Sequence, residues 1–247
     1  MNKEKIKKNI SNCAFRENED IPVINYLNSL DKNRHYSLLE VGSGECRFVK
    51  KVLQNYSNID ITCIEINTEL AKIAIDLNCE VINDNILNIP ADKKYDIVHC
   101  SHVIEHFSYP AIANVMEFLV FSTAPGGRLI VRSPLMWKHF YDDIDHVRPY
   151  PPESFISYFG VKQQQKKGNA DISIEYVWYR TEARQIEKIT KEKLIYGIPF
   201  VRGPLNFIIG HINSQYQIWW NKYRWPASKP TGYVAIIKHN GINQQDS

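Results

Sequence analysis

The sequence predicts a doubly wound α/β domain, and three observations support this. Strand-like and helix-like segments alternate at least four times between residues 36 and 135. The strand-like runs are apolar nearly throughout, as in a parallel sheet covered by helices on both faces. The first of them, YSLLEV (36–41), ends in a Gly-Ser-Gly turn that opens a helix.

The elements can be justified in order. The first 35 residues are polar with one short amphipathic segment, IPVINYLNSL, and read as a helical extension. In ECRFVKKVLQNY (45–56), Phe48, Val49, Val52 and Leu53 recur at helical spacing. IDITCIEI (59–66) is a strand. TELAKIAIDLN (68–78) is a helix with Thr68 as its expected N-cap. CEVIND is a short strand and YDIVHCS (95–101) a longer one. YPAIANVMEFLVFSTA (109–124) is helical and closes at PGG, before the strand RLIVRSP (128–134). Past Pro134 the pattern changes. Residues 136–180 hold a loop rich in aromatics, charges and prolines, and a helix, PESFISYFG, begun by proline. The strand-like VKQQQK and DISIEYVWYR follow. Residues 181–230 are an insertion before the last strand, TGYVAIIKH (231–239).

A hydrophobic content of 44% against 23% charged residues points to a globular chain. Its 247 residues suit one sizeable domain with a small insertion. The net charge of +3 carries no electrostatic footprint for nucleic acid, and no nucleic-acid partner is expected. Cys13, Cys46, Cys63, Cys79 and Cys100 are scattered, odd in number and without a CxxC, which suits a reducing, cytoplasmic setting. The basic start, MNKEKIKKNI, lacks a long apolar run, so no signal peptide is expected. No run of about 18 apolar residues suggests a transmembrane helix.

The stretch LLEVGSGECRF is a strand, a turn and a helix. Glycine is needed where backbone approaches a ligand closely or takes positive φ. The dinucleotide pattern G-x-G-x-x-G fails, because Arg47 stands at the third glycine, and no Gly-Lys-Ser/Thr follows for a phosphate loop. Two carboxylates flank the loop instead: Glu40 before it, and Glu65 at the end of the next strand. A carboxylate at Glu65 can accept both hydrogens of a ribose diol.

These segments, in this order, resemble the class I S-adenosylmethionine-dependent methyltransferases. LLEVGSGECRF is similar to the family's first motif, E/D-x-G-x-G-x-G, with Cys46 where the third glycine usually stands. CIEIN resembles the second-strand motif. VINDNILNIPADKKYDIVHCSHVIEHF resembles the adenine-side loop and fourth strand, and APGGRLIVRSP the strand-five motif. The resemblance runs from about residue 36 to 135 and more loosely to 239. It implies a Rossmann-like, mostly parallel seven-stranded sheet with helices on both faces. It also implies a single methyltransferase domain over 1–247, with its cofactor core at 36–135. The implied cofactor is S-adenosyl-L-methionine and the implied product S-adenosyl-L-homocysteine. By the same resemblance, the backbone of Gly42, Ser43 and Gly44 lies against the methionine moiety. Glu40 orders the loop and engages the amino group through water. Glu65 binds the ribose and Ile66 packs on the adenine. Asp84 accepts from the adenine amino group, with the Asn85 backbone close by, and Ser101 and His102 line the methionine end.

An oxygen acceptor must lose a proton, and a positioned base is worth about 10²–10⁴-fold. Two clusters offer one. In SHVIEHF (101–107), His102 and His106 are four apart, like the histidines of a zinc-binding HExxH. Glu105 is misplaced for that motif and no third ligand is recognisable, so no metal is expected. His106 is either a catalytic base or a packed corner residue. In YDDIDHVRPY (141–150), Asp142, Asp143, Asp145 and His146 precede Arg148 and Tyr150. That segment is either a solvated acidic loop or a lid with His146 as base and Arg148 and Tyr150 as substrate contacts. The stretch DHVRPYPPES is similar to one in methyltransferases that resemble those of bacterial surface-polysaccharide clusters.

The insertion carries Trp219, Trp220, Tyr223 and Trp225 interleaved with Lys222, Arg224 and Lys229. Around Trp219–Trp225 it reads as a sugar-stacking platform, a peripheral membrane or dimer patch, or a small sub-core. The expected function is O-methylation of a sugar hydroxyl in cell-surface polysaccharide or lipopolysaccharide biosynthesis. The alternatives are N-methylation of an amine or amino sugar, and a non-catalytic partner subunit. The glycine loop and Glu65 argue against the last.

Overall fold

A computed structural model describes residues 17–159, 169–181, 205, 208, 211, 212, 215 and 230–241. The chain divides into two compact units. One is Met1–Asn18 with Arg180–Pro230, and the other is Glu19–Tyr179 with Thr231–Ser247. In the first, Leu205, Ile208, His211, Ile212 and Gln215 are helical. The aromatic patch at Trp219–Trp225 and the strand expected at VKQQQK lie outside the described residues.

The larger unit carries the sheet. In chain order its elements are α1 (Glu17–Asn28), β1 (Tyr36–Val41), α2 (Arg47–Asn55), β2 (Ile59–Ile64), α3 (Thr68–Asp76) and β3 (Glu80–Ile82). They continue with β4 (Tyr95–Ser101), α4 (Ala111–Ser122), β5 (Thr123–Pro134), α5 (Glu153–Phe159), β6 (Asp171–Thr181) and β7 (Pro230–Gly241). The seven strands lie in the order β3-β2-β1-β4-β5-β7-β6. The neighbours from β3 through β5 are parallel, and β7 runs antiparallel to β5. The sheet is therefore mostly parallel, as expected, with a mixed edge.

Each central strand is buried on both faces, and successive side chains go to different cores. Leu38, Ile97, Ile130 and Val234 pack with Val23, Leu27, Val49 and Val52 from α1 and α2. Their neighbours Leu39, Val98, Leu129 and Ala235 pack with Val115, Leu119 and Phe155 from α4 and α5. Each such aliphatic side chain taken out of water contributes roughly 1.5–3 kcal/mol. That two-sided burial is why the strands read as unbroken apolar runs.

Two boundaries differ from the sequence expectation. Asn67, not Thr68, caps α3: its side chain accepts from the N–H groups of Glu69 and Leu70. Thr68 is the first helical residue, and its hydroxyl donates to Asn83 instead. The helix ahead of PGG ends at Ser122, and Thr123 already belongs to β5, paired with Tyr95.

The strand order reverses between β1 and β4, which both pair with each other and fan outward. Such a switch point opens a crevice beyond the carboxyl ends of the strands. Gly42, Glu65, Asn83 and His102 all follow directly from those ends.

Candidate functional site

The loop after β1 is built by backbone geometry. Gly42 (φ 72°) and Gly44 (φ 50°) take the left-handed region, and so does Cys46 (φ 56°). A Cβ on Gly42 would stand 2.5 Å from Cγ2 of Val103, so glycine is required where the loop meets the corner after β4. A Cβ on Gly44 would meet nothing within 4 Å, so this backbone faces open space. Cys46, at the place of the third family glycine, is fully buried.

Glu65 fastens this loop to the next strand. Its carboxylate accepts from the N–H of Gly44 at 2.8 Å and from that of Asn67 at 3.0 Å. A carboxylate has about four lone-pair sites, so each oxygen keeps one for a hydroxyl pair. Asn83 holds the backbone just beyond β2, donating to the carbonyls of Glu65 (2.7 Å) and Ile66 (3.3 Å). Ile66 is 65% exposed, an apolar side chain turned outward beside the buried Glu65. Asp84 uses Oδ1 in its own turn, accepting from Asn85 N–H and from Asn88. The Asn85 side chain accepts from Leu87 N–H and starts the short turn Ile86–Asn88.

Beneath the loop lies a buried pair that sequence reasoning missed. Glu40 and His99 are register partners on β1 and β4, and Glu40 Oε2 stands 2.6 Å from His99 Nδ1. Burial pushes the Glu40 carboxyl well above its ordinary range and the His99 imidazole well below its own, so both tend to the uncharged form with one proton between them. The Glu40 side chain is thus turned into the protein onto His99. Arg132 on β5 is buried too. It donates to Asp20 of α1, while its Nε and Nη2 find no hydrogen-bond partner among the described residues. The Ser43 hydroxyl is likewise buried without one.

The corner after β4 and the loop after β5 are stitched together. The backbone carbonyl of Glu105 accepts from the N–H groups of Val147 (2.9 Å) and Arg148 (3.2 Å). The His106 and His146 rings come within 5.2 Å, centroid to centroid. Each turns Nδ1 onto a backbone carbonyl: His106 onto Asp145 at 3.1 Å, and His146 onto Phe140 at 2.7 Å. The two histidines expected on separate loops are thus one site, and both reach solvent. His102 bridges two carboxylates, at 3.2 Å from both Glu19 and Glu105. Burial alone would lower its pKa, but those carboxylates outweigh this and raise it to about 9. Ser101 closes β4, half-buried. Arg148 is exposed, with its guanidinium 5.7 Å from the Tyr150 ring centroid.

Tyr150, expected among the substrate contacts, turns inward. It is only 7% exposed, its hydroxyl donates to Phe107 O, and its own carbonyl accepts from Tyr233. It anchors the loop to β7 and the corner. A second hollow, lined by Leu27, Asn28, Tyr56 and Ile59, opens at the amino end of β2, away from these residues.

Residues 39–129 match the family model described as a methyltransferase domain. These residues form a methyltransferase domain. Solved structures share its fold over most of the chain. A SAM-dependent methyltransferase from Archaeoglobus fulgidus is 20% identical with a TM-score of 0.55, covering 89% of this chain and 92% of that one. N-methyltransferase NodS from Bradyrhizobium japonicum is 11% identical with a TM-score of 0.53, covering 91% and 97%. Coclaurine N-methyltransferase, bound to N-methylheliamine and SAH, is 16% identical with a TM-score of 0.53, covering 92% and 76%. No curated protein matches the chain in sequence. The chain shares the class I fold of the S-adenosylmethionine-dependent methyltransferases.

The residues at these strand ends fit S-adenosylmethionine. Gly44 leaves room for close approach, the Ser43 hydroxyl is a buried donor without a partner, Glu65 keeps lone pairs for two ribose hydroxyls, and Ile66 offers an apolar face. Sequence reasoning missed Asn83, His99 and Arg132, and set Glu105 aside as misplaced for a metal motif. Arg132 and His99 carried one available signal, a polar residue inside an otherwise apolar strand.

Proposed function

We propose that this methyltransferase transfers the methyl group of S-adenosylmethionine to a hydroxyl of a small molecule or glycan. In this reading the acceptor is a sugar hydroxyl of a cell-surface polysaccharide or lipopolysaccharide precursor, methylated at the cytoplasmic side. The observation that carries it is the His106–His146 pair, open to solvent and joined through Val103 to the glycine loop. The DHVRPYPPES stretch supports the glycan, through its resemblance to surface-polysaccharide methyltransferases.

The cofactor supplies a sulfonium methyl with a good leaving group. The chain's work is then positioning and proton handling. Glu65 and Ile66 orient the nucleoside, and the Gly42–Gly44 backbone holds the methionine end. Val103 sets the His106 corner against that end. His106 and His146, with Nδ1 held by carbonyls, present Nε2 to the acceptor and draw off its proton. Arg148 meets an anionic or polar group at the mouth.

Incubation with S-adenosylmethionine and a panel of sugars, amino sugars and amines tests this. Homocysteine-product release with a new O-methyl signal is the expected result. His106→Ala and His146→Ala are each expected to lose about 10²-fold in kcat with cofactor affinity intact. A second reading, an amine acceptor, draws on the N-methyltransferases of like fold. An unprotonated amine needs little base, so substantial activity in both variants would favour it.

A further inference from the structure

We propose that Glu105, His106 and His146 form a binding site for a divalent first-row transition cation. The inference rests on the acceptor site proposed above, and with the ion bound His106 and His146 activate the hydroxyl through it as ligands in place of direct proton abstraction. Suitable donor atoms of the three residues lie within 4.8 Å of one another. Ligands about 2.1 Å from a tetrahedral ion stand about 3.4 Å apart, so binding draws them together by roughly an ångström.

Three further observations point to a cation. First, both imidazoles are pre-set as ligands. Their Nδ1 atoms face the carbonyls of Asp145 and Phe140, which selects the Nδ1–H tautomer and leaves the Nε2 lone pair outward. Two histidines held in this way 5.2 Å apart satisfy the outer-shell requirement of a metal site. Second, Glu105 is wholly buried and its carboxylate is fixed at both oxygens. His102 Nδ1 meets Oε1 at 3.2 Å as an ion pair, and Ser133 donates to Oε2. A buried carboxylate fixed in this way keeps further lone pairs for an ion on its other side. Third, Asp143 Oδ2 lies 3.7 Å from His146 Nε2 and adds negative charge to the same side.

The donor set decides the class of ion. Two imidazoles and one carboxylate suit zinc, iron, cobalt, nickel or manganese better than magnesium or calcium, which take oxygen ligands. Three protein ligands leave positions open. An acceptor hydroxyl bound there is more acidic, as metal-bound water is. Its O–H bond breaks and the proton leaves to water at the open mouth. The alkoxide oxygen forms the new O–CH₃ bond as the S–CH₃ bond breaks, and the sulfonium becomes a thioether. The ion is neither oxidised nor reduced.

The test is binding of cobalt(II) to the chelator-stripped full chain, without cofactor or acceptor, followed by calorimetry and by visible absorption. One equivalent is expected, with the absorption of a nitrogen-ligated ion. His106→Ala and His146→Ala should each weaken binding by about a hundredfold or more. His146→Asn, which keeps a donor for the Phe140 carbonyl, should lose the ion while keeping the fold by circular dichroism. Binding below one equivalent, or unchanged in the three variants, would overturn the proposal. Titration of the same protein with S-adenosylhomocysteine separates the two readings. Cobalt without homocysteine-product binding keeps the metal site and removes the methyltransferase reading, and the reverse keeps the activity and removes the metal.

Discussion

Gly42 and Gly44 look alike in sequence, and both have positive φ, yet the space around them differs. At Gly42 a methyl group would collide with Val103, while at Gly44 it would project into the open cleft. Gly42→Ala should therefore cost about 2–4 kcal/mol, summing left-handed strain and overpacking. Gly44→Ala should cost only the strain, about 1 kcal/mol, and should instead weaken cofactor binding. Urea midpoints of the two variants check this, and equal costs would contradict the assigned roles. Glu65 is a different case. Glu65→Ala removes the acceptor from two backbone N–H groups at once, so a loss of about 2 kcal/mol is expected beside the lost ribose contact. Glu65 was legible in the sequence because it ends an apolar strand one unit after the glycines. His99 was not, because its partner Glu40 is distant in sequence and becomes its neighbour only through the β1–β4 register.

At the scale of elements, α1 shows how a polar segment can dock. The sequence pattern offers only a weak apolar stripe from Ile21 onward, and the helix in fact starts at Glu17. Asp20 supplies what the stripe lacks: its carboxylate meets Arg132 of β5 and Lys51 of α2. That pairing joins three elements far apart in sequence, so no local pattern reveals it. Burial alone would raise the Asp20 pKa, but Arg132 and Lys51 outweigh it and lower the pKa below its ordinary 3.8. A lowered carboxylate pKa contributes stability above the unfolded value, and that contribution fades as pH falls through the folded value. Asp20→Asn leaves Arg132 buried beside a neutral amide and should cost about 3 kcal/mol at pH 7. The gap between wild type and variant should stay level above pH 4 and narrow below it. A constant gap down to pH 2 by acid-series urea melts would rule out the ion pair as the cause.

For the molecule as a whole, alternation of apolar strands and helices made the doubly wound sheet legible, down to the carboxyl-end loops that carry Gly42, Glu65 and His102. The meeting of His106 with His146 was not legible, because it depends on the Val147 and Arg148 amides docking on the Glu105 carbonyl. Among the described residues no helix is long and apolar enough to cross a membrane. The cofactor-side residues come from four separate strand ends, so they form a site only in the folded sheet. A ligand gathered by all of them must bind the native state and not the unfolded chain. S-adenosylhomocysteine at about 100 times its Kd should then stabilise the protein by about 2.7 kcal/mol. For a chain of this length that corresponds to a rise in Tm of roughly 5–10 °C. If Glu65 holds the ribose as proposed, the increment should shrink in Glu65→Ala and persist in His106→Ala. A rise of equal size in both variants would mean that the ligand binds elsewhere, and no rise in the wild type at millimolar ligand would remove the cofactor site itself.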